Sequence, residues 1–401
     1  MVVFKYNGRT VEGKIKKGII DAPNKQAAIT KLRLDGVNPR ELQESNSILH
    51  KELSLGEKVK NEDFVVYCRQ FATLIRAGIS IIEATRILAE QTPSKSLKKG
   101  LREVEEDVRT GLTFSEATAK SPKIFPSLFV NMIRAGEVTG NLDEALDRLA
   151  FSYEKQFKLK KKVQSTMAYP IILLFMTIIV AAFLMLTIVP QFVTMFDEMG
   201  AELPLITKVV MSFSEFLQSF WYILLILIVG VVAAFGYFYK NNTQFNYSVN
   251  LVLLKMPIFG KLLQKSAIAR MTRTLSSLFS SAVPVLQALT IVEKVIGNPV
   301  VSRVVKEAKV SLEQGSTLSA PLEKSWIFPP LVTQMTAIGE QTGSLDYMLE
   351  KIAIFYEDDV DRTVDTLKSL IEPLMIVFLA AVVGTIVMAI MVPMFSMYEQ
   401  I

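Results

Sequence analysis

The stretch Pro373-LMIVFLAAVVGTIVMAIMV-Pro393 carries no ionisable side chain, and it has a twin, Pro170-IILLFMTIIVAAFLMLTIV-Pro190. A third uncharged run, Phe220–Tyr239, lies between them and has no counterpart elsewhere in the chain. Each run is about 20 residues, and at about 1.5 Å per residue that matches the roughly 30 Å hydrocarbon core of a bilayer. The expected fold is mainly α: a polytopic membrane protein with three transmembrane helices, two repeated cytoplasmic helical-bundle domains and a small N-terminal α+β module.

Composition agrees with large polar domains. The chain has 401 residues, of which 21% are charged, and a net charge of +5. That charge needs no nucleic-acid partner, because Lys and Arg near membrane helices set topology. Met1–Thr10 alternates polar and apolar residues, so no signal peptide is expected there. One cysteine, Cys68, excludes an intramolecular disulfide, and with a single histidine, His50, a zinc site of the His/Cys type is not expected.

Lys155, Lys158, Lys160, Lys161 and Lys162 crowd the approach to the first run, whereas 191–219 holds Lys208 alone against Asp197, Glu198, Glu202 and Glu215. Lys240, Lys255, Lys261, Lys265, Arg270 and Arg273 follow the second run, and no Lys or Arg follows the third. The positive-inside rule then places both large domains and the N-terminus in the cytoplasm, and the loop 191–219 and the C-terminus outside.

The prolines belong to a repeat with an offset of 203–204 residues. Arg69-Gln-Phe-Ala-Thr-Leu74 aligns with Arg273-Thr-Leu-Ser-Ser-Leu278, Gly111 with Gly315, Phe125-Pro126 with Phe328-Pro329, and Tyr153-Glu154 with Tyr356-Glu357. Gly136-Glu137-x-x-Gly140-x-Leu142 aligns with Gly339-Glu340-x-x-Gly343-x-Leu345. Two cytoplasmic units, each ending in an outward helix, need an odd number of extra spans between them, and Phe220–Tyr239 supplies one. The copies are therefore parallel repeats.

The expected boundaries are 1–45 for the N-terminal module, 46–60 for a linker, 61–168 for the first helical domain, 169–190 for span one and 191–219 for an external loop. Span two follows at 220–239, the second helical domain at 240–372, span three at 373–393 and an external tail at 394–401. Six helices are expected per repeat. In the first, Asn61 reads as a cap, Ser80-x-x-Glu83 and Thr113-x-x-Glu116 as capping boxes, Pro126 as the start of a helix ending at Gly136, and Asn141 as the opening of a stalk with no breaker before Pro170. In the N-terminal module, Val2-x-Phe4-x-Tyr6 and Val11-x-Gly13-x-Ile15 alternate, Asn7-Gly8 reads as a hairpin turn, and Asn24 caps a short helix over Lys25–Leu34.

No catalytic constellation emerges, so the chain is not expected to be an enzyme or to carry a cofactor or metal. Gly8-x-x-x-x-Gly13-Lys14 imitates a P-loop, but Ile15 replaces the Mg-binding hydroxyl and the segment reads as strand. Ser96-x-x-Lys99 reads as a solvated helix face, Cys68 as a core residue and His50 as part of the linker. The uncharged spans offer no proton relay, which counts against a secondary transporter.

Two charge and turn patterns remain as candidate sites. Gly136, Glu137, Gly140 and their equivalents Gly339, Glu340, Gly343 read as helix–turn–helix punctuation, with Glu137 and Glu340 as candidate partner contacts. Lys155, Lys158 and Lys162 align with Asp358, Asp361 and Asp365, so three basic positions on one stalk meet three acidic ones on the other. Spacings of three and four put each trio on one helix face, which suggests that the stalks pair within a chain or across a dimer. Ala380-x-x-x-Gly384 is a small-residue pattern suited to close packing in a membrane.

The duplicated opening Arg69–Gly78, the two Gly-Glu-x-x-Gly-x-Leu turns and the three-span layout resemble the type II secretion F family over essentially the whole chain. The ending Val392-Pro-Met-Phe-Ser-Met-Tyr398 is most similar to its type IV pilus branch, the PilC-type platform proteins. The resemblance implies an inner-membrane platform on which a cytoplasmic hexameric ATPase acts to insert pilin subunits at a filament base, with a retraction ATPase able to use it in reverse. It also implies contacts with pilin or pseudopilin transmembrane helices and other inner-membrane assembly proteins, and a homo-oligomer, a dimer first among them. A type II secretion platform is the alternative, and a secondary transporter a remote one. Copy two departs from copy one in places: Ser281-Ala282 stands where Ala77-Gly78 would be expected.

Overall fold

The computed structural model describes residues 2–10, 15–22, 25–34, 37–44, 59–191, 194, 205–257 and 259–398. Two separate units make up the chain, residues 1–59 and 60–401. His50, Asn24, Gly13, Lys14, the linker up to residue 58 and part of the loop 191–219 lie outside the described residues.

In the N-terminal unit, β1 (Val2–Thr10), β2 (Ile15–Ala22) and β3 (Val37–Glu44) form an antiparallel sheet in the order β2-β1-β3. Helix α1 (Lys25–Leu34) packs beside them. Phe4 and Tyr6 fall on one face of β1, as a two-residue period requires, and close a small core with Ala28, Leu32 and Val37. Asn7-Gly8 is not the hairpin turn. β1 runs through it to Thr10 before pairing antiparallel with β2. Gly8 instead meets β3 at a register shift, where a Cβ would stand 2.7 Å from the Asn38 carbonyl oxygen. β3 has no apolar alternation and contains Pro39, which an edge strand tolerates.

In the second unit the two repeats share one order of six helices. The first has α2 (Asn61–Arg76), α3 (Ile81–Gln91), α4 (Lys95–Arg109), α5 (Phe114–Ala119), α6 (Ser127–Thr139) and α7 (Leu142–Phe183). α8 (Leu205–Asn241) and α9 (Thr243–Lys255) connect the copies. The second has α10 (Phe259–Ser280), α11 (Val285–Val295), α12 (Pro299–Glu313), α13 (Ser319–Lys324), α14 (Pro330–Thr342) and α15 (Leu345–Tyr398).

Equivalent positions build both cores with different side chains. Copy one stacks Phe64, Tyr67, Phe71, Phe114, Phe125, Phe129 and Tyr153 on one another. At the aligned positions copy two buries Ile268, Met271, Leu275, Leu318, Phe328, Val332 and Tyr356. The fold keeps burial at each position while aromatic volume gives way to aliphatic, a swap that cores tolerate when the total packs.

Several caps differ from expectation. Lys60, not Asn61, is the N-cap of α2, and Asn61 is its first helical residue. Ser80 caps Glu83 N–H, but the Glu83 carboxylate turns to Arg86, so only half of that box forms, whereas the Thr113/Glu116 box is complete. Asn141 is an N-cap without a side-chain bond. α6 does not end at Gly136. It continues to Thr139 and stops at Gly140, whose φ of 76° is left-handed. Gly136 lies inside the helix because a Cβ there would come within 2.8 Å of Ala145 Cβ on the next helix. Ala282, in place of the φ-positive Gly78 of copy one, adopts φ 58°, at a cost of about 1 kcal/mol or more.

Three helices are long and apolar enough to cross a membrane, within Leu142–Gln191, Gln218–Asn241 and Leu345–Ala389, and the chain is a multi-pass membrane protein. None of the four bounding prolines breaks its helix. Pro170 sits inside α7, which continues through a π turn (Leu184–Ile188) to Gln191, and Pro373 and Pro393 sit inside α15. The second span is the far part of α8, whose helix already begins at Leu205, within the stretch expected as loop.

Candidate functional site: the paired stalks

Helices α7 and α15 pack side by side where they leave the two repeats. Val360, Val364 and Leu367 of α15 and Leu262 of α10 form a buried seam, with Leu159 and Val163 of α7 against it. The spacing i, i+4, i+7 on α15 is one face of a helix. Fully burying such side chains is worth roughly 1.5–3 kcal/mol each, against about 0.2–1 for an exposed ion pair, so the apolar seam holds the stalks and charges set their register.

Those charges are partly the expected ones. Lys162 reaches both Asp361 (3.2 Å) and Asp365 (3.3 Å). Burial pulls its pKa down, but the hydrogen bonds it donates to the two carboxylates outweigh that, and the net direction is up. Lys155 goes to Glu357 at 3.7 Å rather than to Asp358. Lys158 and Asp358 make no ion pair among the described residues.

Each repeat also ties its first helix to its stalk with one arginine–glutamate clamp. Arg69 Nε and Nη2 donate to Glu154 at 2.6 and 2.8 Å, and Nη1 donates to Asp147 at 2.8 Å. Arg273 Nε and Nη2 donate to Glu357 at 2.7 and 2.9 Å. Such forked pairs combine energy with fixed geometry. The hydrogen bonds that Arg69 donates hold the Glu154 carboxyl below its usual range and raise Arg69 itself.

The two clamps differ in cover. Arg273 and Glu357 are 5% and 6% exposed, under Phe151, whose ring centroid is 5.3 Å from the guanidinium, and Lys155 of the other stalk. Arg69 and Glu154 are 36% and 27% exposed. The copy-two residues aligned with Phe151 and Lys155 are Ile354 and Asp358, both exposed. Asp358 at the mirrored place would meet Glu154, a like charge, so the Lys/Asp inversion breaks the symmetry of the stalk pair.

Glu137 and Glu340 occupy equivalent capping positions. The Glu137 carboxylate accepts from Phe114 N–H (2.7 Å) and Ser115 N–H (3.2 Å). Glu340 accepts from Leu318 N–H (2.7 Å) and from the N–H (3.3 Å) and hydroxyl (3.1 Å) of Ser319. Each carboxylate thus fastens a one-turn helix to the helix that carries it. Gly140 and Gly343 end those helices, and Gly339, like Gly136, makes room for the stalk that follows. In the third span a Cβ on Gly384 would meet nothing within 4 Å among the described residues, which leaves room beside that glycine.

At the far ends of the spans, one helix joins both repeats. Pro393 has no N–H to give the Ala389 carbonyl, and Thr207 Oγ1 donates to that oxygen at 2.8 Å. Val189 N–H reaches Leu184 across the π turn, so the next carbonyl, Met185, would be served by residue 190, a proline; Ser214 Oγ donates to it at 2.7 Å. Thr207 and Ser214 are seven residues apart on one face of α8, beside a small core of Val189, Val210 and Ala389.

Neither clamp nor hydroxyl stitch was foreseen as a site. The aligned Arg69/Arg273 and Glu154/Glu357 were the available signal, since a charge repeated at one offset on two packing helices implies a repeated pair. Cys68 is fully buried and its thiol is pushed up by burial. Among the described residues, no group of three His, Cys, Asp or Glu is placed to hold a metal.

Residues 67–190 and 271–393 each match the family model described as type II secretion system (T2SS), protein F, and residues 1–43 match the model for the N-terminal domain of that protein. The chain is 39% identical over 400 residues to the type IV pilus assembly protein PilC of Thermus thermophilus, covering 99% of this chain and 98% of that one. It is 38% identical over 396 residues to PilC of Myxococcus xanthus, covering 98% and 94%. The type II secretion system protein F of Vibrio cholerae is 31% identical over 402 residues, covering 99% and 98%.

Proposed function

Because the chain belongs to the type II secretion system protein F family, we propose that it is the inner-membrane platform of a type IV pilus assembly machine. In this reading a cytoplasmic hexameric ATPase acts on the helical repeats, and the chain passes that motion to pilin helices in the membrane, inserting subunits at the filament base; a retraction ATPase drives the reverse. Both repeats and the N-terminus face the cytoplasm, and the C-terminus faces outside. The pilus reading is favoured over a secretion platform because pilus assembly relatives range from 32% to 39% identity and the secretion protein F relatives from 30% to 32%.

One observation carries the mechanism: α15 is a single helix of 54 residues from the Gly343 turn to Tyr398. At about 1.5 Å per residue it is roughly 80 Å long, a rigid element clamped to its repeat by Arg273 and continuous through Pro373. A push on the repeat therefore reaches the membrane without a joint. The open Arg69–Glu154 clamp, whose twin is covered by a stalk, supports a homo-oligomer in which a second chain supplies the cover.

The experiment is a break in the stalk. Four glycines inserted after Thr366 should abolish surface pili at normal membrane levels, while deletion of the partner ATPase gives the same phenotype. Filaments assembled normally with the glycine insertion would refute mechanical transmission. Loss of protein export with intact pili would select the secretion reading.

A further inference from the structure

A cavity of about 420 Å³ opens between four helices at the base of the stalks. Its wall includes Val163 and Met167 of α7, Met256 just past the end of α9, Leu262 and Leu263 of α10 and Leu367 of α15. Of its lining residues only Thr166 is polar. The volume lies in the range of small-molecule sites, about 300–1,000 Å³. Water has no partners in so apolar a hole.

The cavity opens toward the corner between α9 and α10, where Leu253, Met256, Phe259 and Leu263 are 37–41% exposed. This corner is separated from the end of the second span at Asn241 by α9. Met167 is three residues before Pro170 and Leu367 six before Pro373. At about 1.5 Å per residue these lie roughly 5 and 9 Å from the apolar runs, the depth of a headgroup layer. The part of the cavity that Met167 and Leu367 line therefore lies within reach of an acyl chain.

The rim is basic. Lys255, Lys261 and Lys368 are exposed and each adjoins a lining residue in sequence, namely Met256, Leu262 and Leu367. None of the three makes an ion pair among the described residues, although Lys162 and Lys265 nearby are taken by Asp361, Asp365 and Asp359. Exposed lysines on three framing helices, beside an apolar cavity, suit one amphiphile, an anionic head on an alkyl tail.

We propose that the cavity holds one acyl chain of an anionic phospholipid, with the headgroup phosphate among Lys255, Lys261 and Lys368. The lipid fills the gap between the stalks and forms part of their packing. That it comes from the cytoplasmic leaflet rests on the orientation proposed above; its binding does not.

Full-length protein in mild detergent, mixed with phosphatidylglycerol or phosphatidylcholine and weighed by native mass spectrometry, tests this. One phosphatidylglycerol per chain should be retained. Leu263→Trp, which fills the mouth from a partly exposed position, should lower retention at least about tenfold. Met256→Trp, on the exposed rim, gives the same result should Leu263→Trp fail to fold. Lys255→Gln, Lys261→Gln and Lys368→Gln together should erase the preference for the anionic lipid while phosphatidylcholine binding persists. A photoreactive residue at Leu263 should give a lipid adduct. Equal retention by wild type and both tryptophan variants, or a protein–protein adduct from Leu263 in place of lipid, overturns the proposal.

Discussion

Lys162 Nζ lies 3.3 Å from Asp365 Oδ2, the residue that takes its own place in the second repeat. The two stalks therefore meet at equivalent points, as parallel helices around a local two-fold do. Higher up the match fails: Lys155 pairs with Glu357, and Asp358 is left exposed.

Charge at this point should act on register more than on stability. Asp361→Lys with Asp365→Lys should impair pilus assembly at near-normal membrane levels, and adding Lys162→Asp should restore part of it. Each exposed pair is worth only about 0.2–1 kcal/mol, so thermal unfolding should move little. A triple variant no better than the double one rules out the pairing. Topology is checked first, because lysines here also orient the spans.

The clamps should differ in weight. Arg273→Ala leaves the buried Glu357 carboxylate with Lys155 alone, at 3.7 Å, and should destabilise the protein by up to about 3–5 kcal/mol. Arg69→Ala leaves Glu154 in contact with water and should cost about 1 kcal/mol or less. Urea unfolding of the detergent-solubilised chain, followed by Trp326 fluorescence, measures both. Equal losses would contradict the difference in cover.

Glu154 gives the first clamp a pH dependence. Its folded pKa is depressed by Arg69, so its contribution is present above the unfolded value, about 4.3, and is lost as pH falls through the lower folded value. The stability gap between wild type and Glu154→Gln should be constant from pH 5 to 8 and shrink below about pH 4. A gap that widens on acidification contradicts this sign.

Much of this architecture was legible in the chain. Uncharged runs showed the spans, and repeated glycines and prolines showed the duplication, because these depend on local chemistry. The stalk charges were half legible: helical spacing put Lys162 on the right face, but only packing decides that Lys155 reaches Glu357. Prolines misled at the span ends, since their usual cost to a helix is offset here by hydroxyls from α8, contacts made far away in sequence. β3 was missed because its partner strand, not its own pattern, defines it.

Those hydroxyls should matter individually. Thr207→Val and Ser214→Ala each leave a proline-vacated carbonyl without a donor and should cost about 0.6 kcal/mol, up to about 1.7. Thermal unfolding in detergent should show the two losses adding, because they serve different helices. Restoring the missing N–H by Pro393→Ala should make Thr207→Val nearly silent; a full penalty in that background contradicts the stitch.

Sidedness tests the whole account most directly. Single cysteines at Lys208, Lys99 and Lys306 are all exposed in the fold, and native Cys68 is buried. A membrane-impermeant thiol reagent added to intact cells should label Lys208→Cys and leave Lys99→Cys and Lys306→Cys untouched until the membrane is opened. Labelling of Lys306→Cys in intact cells, with Lys99→Cys still protected, would put the repeats on opposite sides and contradict a parallel pair of stalks driven from the cytoplasm.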